Sequence, residues 1–224
     1  MKITALAFAF ASLLFTGCAS DTAGPGDMVL CPGPDCACTG AACLCSVGLS
    51  CELDCAALDG ATCALDCNEG NVCATDCGME ACEVDCEAMS SCTVDSQGAG
   101  TDVDCRTDAT CMVTAMGDNA DLDCEAGATC TFTTPGADAD VECEQMSSCT
   151  VTAGRDADVS CSGSECDVTL ADEGDLECEA GATCNLTCEA DCTVACRDTS
   201  VCTIRCAGET EFTPVDGTEG RCEV

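Results

Sequence analysis

Cysteine spacing constrains this chain more tightly than any other feature. From Cys67 a step of 19 residues leads to Cys86, Cys105, Cys124 and Cys143, and steps of 18, 17 and 18 continue to Cys161, Cys178 and Cys196. A second column, Cys73, Cys92, Cys111, Cys130, Cys149, Cys166, Cys184 and Cys202, follows the first by five or six residues. A fixed period of this size marks a solenoid, in which one unit cannot bury its own face and neighbours must stack. Eight units share one short turn between the two columns, as in residues 125–129, 144–148 and 179–183.

The residues beside each cysteine alternate with period two, the spacing of strands. Two places after the second column stand Val94, Val113, Phe132, Val151, Val168, Leu186 and Ile204. Two places before the first column stand Val103, Leu122, Val141, Val159 and Leu176. The pattern is nearly a mirror image about the turn, which fits either an array of antiparallel hairpins or a flattened parallel coil of two strands. Hairpins leave the second turn unconstrained. That turn nevertheless keeps a regular length, as in residues 116–118, 135–138 and 154–156, and in the flanking units it carries cysteines of its own: Cys55 and Cys63, Cys77 and Cys82, Cys188 and Cys192. The expected fold is therefore all-β: a flattened parallel β-solenoid of about eight coils of 17–19 residues, with irregular Cys-rich caps.

Inward cysteines at the ends of facing strands suggest bridges inside each coil, such as Cys105 with Cys111, Cys124 with Cys130 and Cys143 with Cys149. Bridges between stacked coils are the alternative, because spacing does not fix connectivity. Cys45 and Cys51 join the cysteines assigned to disulfides, and Cys206 and Cys222 are candidates to pair at the C-terminal end. Each small loop stabilises the fold by roughly 2 kcal/mol through the unfolded chain. The need is clear from composition: beyond residue 15 the only aromatic side chains are Phe132 and Phe212, so cross-links substitute for bulky core residues. The architecture resembles the disulfide-laddered β-helices, among which insect antifreeze proteins have a shorter repeat.

The N-terminus has its own logic. Lys2 precedes an apolar run from Ile3 to Phe15, too short to span a bilayer and suited to a signal-peptide core. Residues 15–18, Phe-Thr-Gly-Cys, resemble the bacterial lipobox, which implies cleavage before Cys18 and lipidation of that residue. Removing Cys18 from 31 cysteines leaves 30, an even number, as an oxidised chain prefers. By the same resemblance Ala19 favours the outer membrane, and two acyl chains anchor stably at about 0.8 kcal/mol per buried methylene. The expected organisation is a signal peptide (1–17), a flexible tether (18–30), a Cys-rich N-terminal cap (31–45), the repeat domain (46–206) and a C-terminal cap (207–224).

Charge removes several functions. With 42 acidic residues against 6 basic and a formal net charge of -36, the chain repels nucleic acid, which is bound through Lys and Arg. No His is present, and the even cysteine count leaves no spare nucleophilic thiol, so the usual general base and thiol chemistries are missing. Metallothionein-like capture is disfavoured because Cys-x-Cys occurs only twice, at Cys36–Cys38 and Cys43–Cys45. Turns of five residues wall no cleft of the pectate-lyase kind. Carboxylates two apart on an open strand, such as Asp121 and Asp123, lack the enclosure that separates glycosidase pKa values. The expectation is a non-enzyme.

Two outward columns remain as candidate sites. Asp102, Asp121, Asp140, Asp158 and Asp175 repeat in register, with Asp104, Asp123, Glu142 and Glu177 two residues on. At ~4.8 Å, neighbouring carboxylates repel by about 0.9 kcal/mol even at the dielectric of water. Mobile counterions relieve this in the simplest case; Ca²⁺, which takes several carboxylate oxygens, is the sharper candidate, held by Asp102, Asp121, Asp140, Asp158, Asp104 and Asp123. Residues 136–141 and 154–159 resemble part of the calcium-binding nonapeptide of the β-roll toxins, without its second glycine or its period. The other column is Thr114, Thr133, Thr152, Thr169 and Thr187, flanked by Thr93, Thr131, Thr150 and Thr203. Thr suits exposed strands in general. It also resembles the ice-binding face of β-helical antifreeze proteins, but Met112, Asp167, Asn185 and Arg205 interrupt it.

The functional expectation is thus a non-catalytic cell-envelope lipoprotein, structural or adhesive, whose acidic face binds Ca²⁺ and whose partners are the membrane and a glycan or envelope polymer. A Ca²⁺-dependent ligand- or glycan-binding module is the alternative, with ice binding and glycan processing more remote.

Overall fold

The computed structural model describes residues 28–31, 36–39, 42–46, 48–55, 62–215 and 218–222. The expected signal peptide, the expected lipidation site Cys18 and most of the expected tether lie outside the described residues. Each coil contributes one strand to each of two 11-stranded sheets, and successive coils pair parallel. The chain is a disulfide-rich parallel β-solenoid.

One sheet, called here the acidic sheet, holds the first cysteine column in strands such as Ala81–Cys86, Asp102–Cys105, Asp121–Cys124, Asp140–Cys143, Asp158–Ser162 and Gly174–Glu179. The other, the threonine sheet, holds the second column in Ser91–Ser96, Thr110–Ala115, Thr129–Thr134, Ser148–Arg155, Glu165–Asp172 and Thr183–Cys188. Through the central coils pairing is in register, cysteine beside cysteine: Cys124 lies against Cys105 on one side and Cys143 on the other, and a bulge between Asp76 and Gly78 shifts the register nearer the N-terminal end. A slip of one residue would turn every Val and Cys outward, so the inward pattern itself pins the register.

The core between the sheets is thin and built of the alternating residues. Val103, Val113, Leu122, Val141, Val151, Leu176 and Leu186 are buried, and Phe132 is the largest fully buried side chain. Along the first turn run nine bridges, each within one coil: Cys45–Cys51, Cys67–Cys73, Cys86–Cys92, Cys105–Cys111, Cys124–Cys130, Cys143–Cys149, Cys161–Cys166, Cys178–Cys184 and Cys196–Cys202. The second turn carries Cys55–Cys63 and Cys77–Cys82 near one end and Cys188–Cys192 near the other.

Between those staples the second turn shows what takes the place of sulfur. Ser96 and Thr101 are fully buried and their hydroxyls meet at 2.7 Å. Further coils put buried Ala115 and Ala120, Thr134 and Ala139, and Ala153 and Ala157 there. Leu170 stands in register with Cys188 and Gly174 with Cys192, and a Cβ on Gly174 would come within 2.9 Å of the Leu170 side chain. Each pair lines the same turn with a different chemistry.

Both ends of the stack are closed by strands of the caps. Glu219–Cys222 pairs antiparallel with Cys192–Cys196, and Thr213–Pro214 with Val201–Arg205, while Cys206–Cys222 ties the cap down. At the other end Cys36–Thr39 pairs antiparallel with Ala42–Cys45, which lies parallel to Thr62–Cys67, and Cys38 is bridged to Cys43. Parallel stacking thus begins within the segment expected to be an irregular cap. Covering the ends matters because an open parallel edge is a template for further strands.

Candidate functional site

No enclosed cleft breaks the described surface, and the two outward faces differ sharply in chemistry. On the acidic sheet, register places Glu83, Asp102, Asp121, Asp140, Asp158 and Asp175 in one column. The adjoining column runs Asp66, Asp85, Asp104, Asp123, Glu142, Ser160 and Glu177. All six residues expected to hold metal therefore share one sheet, four in the first column and two in the second. Glu83, Asp66 and Asp85 extend the columns toward the N-terminal end, beyond the residues the periodicity predicts.

Cations on this face are few. Arg106 pairs with Asp85 through two bonds, Nε to Oδ1 at 2.6 Å and a terminal nitrogen to Oδ2 at 2.7 Å, and approaches Glu87 at 3.9 Å. Arg197 pairs with Glu177, and the Thr193 hydroxyl donates to Asp175. Arg106 also acts on Asp66 and Asp104, lowering their pKa values against the larger effects that raise them. Burial, reinforced by Glu144, Asp104 and other carboxylates, pushes Asp123 up to about 6. Burial first, then like charge, also raises Asp66, Asp102, Asp104, Asp121 and Asp158 above the ordinary carboxylate range. One oxygen each of Asp66 and Asp123 is buried without a hydrogen-bond partner, which accords with the raised direction at both.

The carboxylates form an open lattice. Among the described residues no three carboxylates bring one oxygen each within 4.8 Å of one another; the three groups that meet that distance are all cysteines, such as Cys143, Cys149 and Cys166, and all of these are in disulfides. Where Ser160 and Ser162 interrupt the acidic columns, their short side chains leave a shallow notch of about 390 Å³ flanked by Glu142, Glu144 and Glu179.

The threonine sheet carries more outward hydroxyls than the two expected columns. Besides the two columns after each cysteine, the residue before the cysteine also faces outward: Ser91, Thr110, Thr129, Ser148, Glu165 and Thr183 lie in register. Thr129, Thr131 and Thr133 make one exposed rung, and Ser148, Thr150 and Thr152 the next. The signal was present, since an inward cysteine obliges its preceding neighbour to point out. Met112, 57% exposed, interrupts the rung below, and Asp167 and Asn185 those above.

Towards the C-terminal end these interruptions form a network across coils. Thr203 donates to Asn185 Oδ1 at 2.7 Å, Asn185 Nδ2 donates to Asp167 at 2.7 Å, and Arg205 donates to the Thr187 hydroxyl at 2.9 Å. The Phe212 ring lies 4.7 Å from the Arg205 guanidinium.

No protein-family model, curated protein or solved structure matches the chain. The class is set by the fold: a disulfide-laddered β-solenoid whose 14 bridges among the described residues belong to an oxidising, extracytoplasmic or envelope setting.

Proposed function

We propose that the protein is a non-catalytic surface element of a cell envelope, anchored to the outer membrane by lipid on Cys18, with a structural or adhesive role. It presents a rigid polyanionic sheet to a neighbouring envelope polymer. The observation that carries this reading is the segregation of charge: registered carboxylate columns cover one flat sheet, while the central rungs of the sheet behind it are neutral hydroxyls. Such a face attracts cations over its whole length.

Divalent ions suit the carboxylate lattice better than monovalent ones because one Ca²⁺ draws on oxygens of two coils and keeps part of its water shell. In this proposal the ions are exchangeable bridges along the columns and into the Ser160 notch. Rigidity is the second requirement. A chain fixed by a bridge in every coil transmits contact at its face to its anchor without unfolding, because each bridge restricts the unfolded chain.

Thermal unfolding of the oxidised chain in millimolar Ca²⁺, against NaCl of equal ionic strength, tests the charged face. We expect Ca²⁺ to raise Tm beyond the salt control, and the excess to disappear in the variant Asp102→Asn/Asp121→Asn/Asp140→Asn. Equal Tm values in the two salts would remove the bridging role. Membrane fractionation of Cys18→Ala tests the anchor: release into the soluble fraction is expected, and retention would contradict lipidation at that residue.

A further inference from the structure

The threonine sheet ends in a depression that the role above does not use. It has a volume of about 230 Å³ and is walled by Thr150, Thr152, Asp167, Thr169, Asn185 and Thr187 of three successive strands, with Phe212 reaching in from the C-terminal cap. Phe212 is 42% exposed, although it belongs to a chain with only one other aromatic side chain beyond residue 15. A large apolar ring left at the surface beside ordered polar groups is more informative than an isolated exposed aliphatic.

Three observations define what fits. The polar groups are already oriented: Asn185 is held between Thr203 and Asp167, and Thr187 accepts from Arg205, so little order remains to be imposed on binding. Charge is locally balanced, with Asp167 and Arg205 the only full charges among the wall residues and their hydrogen-bond partners, which disfavours a strongly ionic ligand. Finally, hydroxyl, carboxylate and amide groups converge beside one aromatic ring, a combination that matches a molecule with an apolar face and a rim of hydroxyls.

We propose that this depression binds a neutral saccharide chain, with a pyranose C–H face on the Phe212 ring and adjacent hydroxyls bonded to Asp167 and Asn185. Asp167 is the only carboxylate in the wall, so the pair needed for glycoside cleavage is missing and the saccharide is held, not cut. The inference goes beyond the polyanionic role and is independent of it, because the two sites lie on opposite sheets.

The test titrates the full oxidised chain, labelled with 13C-phenylalanine, with cellohexaose, maltohexaose, laminarihexaose and chitohexaose in EDTA. At least one hexasaccharide is expected to shift the Phe212 ring resonance saturably. Phe212→Ala and Asp167→Ala are each expected to weaken binding by about ten-fold or more, while Thr93→Ala at the far end of the same sheet leaves it unchanged. Asp167→Ala guards against mere loosening of the cap in Phe212→Ala, since Asp167 lies on a regular strand. The proposal is overturned if no hexasaccharide moves the resonance at millimolar concentration, or if binding survives both substitutions. It is also overturned if binding requires Ca²⁺ and is lost in the acidic-sheet triple variant.

Discussion

At the scale of single residues, backbone spacing and desolvated charge dominate. Gly98, Gly117, Gly136 and Gly154 stack along the second turn, and a Cβ on Gly136 would come within 2.0 Å of the Gly117 carbonyl oxygen. Backbone cannot swing aside as a side-chain tip does. Gly136→Ala is therefore expected to destabilise the fold by about 2–3 kcal/mol in denaturant titration, the upper range of overpacking effects. Asp123 sets a different expectation. Its folded pKa of about 6 exceeds the ordinary value near 3.9, so the folded state binds more protons and stability rises as pH falls from about 6 to about 4. Above pH 6 the ionised group opposes folding. Asp123→Asn should thus stabilise the protein at pH 7.5 by about 1 kcal/mol after allowance for solvent, with little effect below pH 4. Thermal melts at the two pH values check this, and an equal change at both would place the effect outside titration.

At the scale of elements, the second turn makes the clearest case. Ser96 and Thr101 are separated by five residues, like the bridged Cys77 and Cys82, and line the same turn one coil on: Thr101 and Cys82 immediately precede the paired Asp102 and Glu83, while Ser96 pairs with Gly78 beside the bulge that holds Cys77. The double variant Ser96→Cys/Thr101→Cys should close a further bridge, leave no free thiol by thiol titration and stabilise by about 1–2 kcal/mol, a small-loop gain reduced by the lost hydroxyl bond. Persistent free thiols would contradict the assigned equivalence. Such replacement also shows what sequence conveys and what it hides. The strands were legible because Cys, Val and Leu alternate at a fixed offset from each turn, and Val103, Leu122, Val141 and Val151 are buried as that alternation requires. The outward residues before each cysteine, Thr110, Thr129 and Ser148 among them, follow from the same parity. In contrast, Phe212 lies in a cap without repeat, so nothing in its neighbourhood points to the Arg205 it meets or to the depression it shares with Thr187. The raised pKa of Asp123 depends on its burial and, after that, on the charges of Glu144, Asp104, Glu142 and Glu125 around it, a matter of side-chain lean that periodicity does not encode.

At the scale of the whole molecule, a thin aliphatic core and a highly acidic surface coexist because sulfur bridges limit the freedom of the unfolded chain along its length. Every face-based inference depends on consecutive coils lying in register, each closed by its own disulfides: the acidic columns, the hydroxyl rungs and the depression beside Phe212 exist only in that arrangement. The most direct measurement is disulfide mapping by mass spectrometry after non-reducing digestion at the plentiful Asp and Glu positions. Apart from the cap bridges Cys38–Cys43 and Cys206–Cys222, bridges are expected to join only residues of the same coil, Cys105 to Cys111, Cys124 to Cys130 and Cys143 to Cys149 among them. Recovery of peptides in which Cys105 is joined to Cys124, or Cys130 to Cys149, would contradict this expectation.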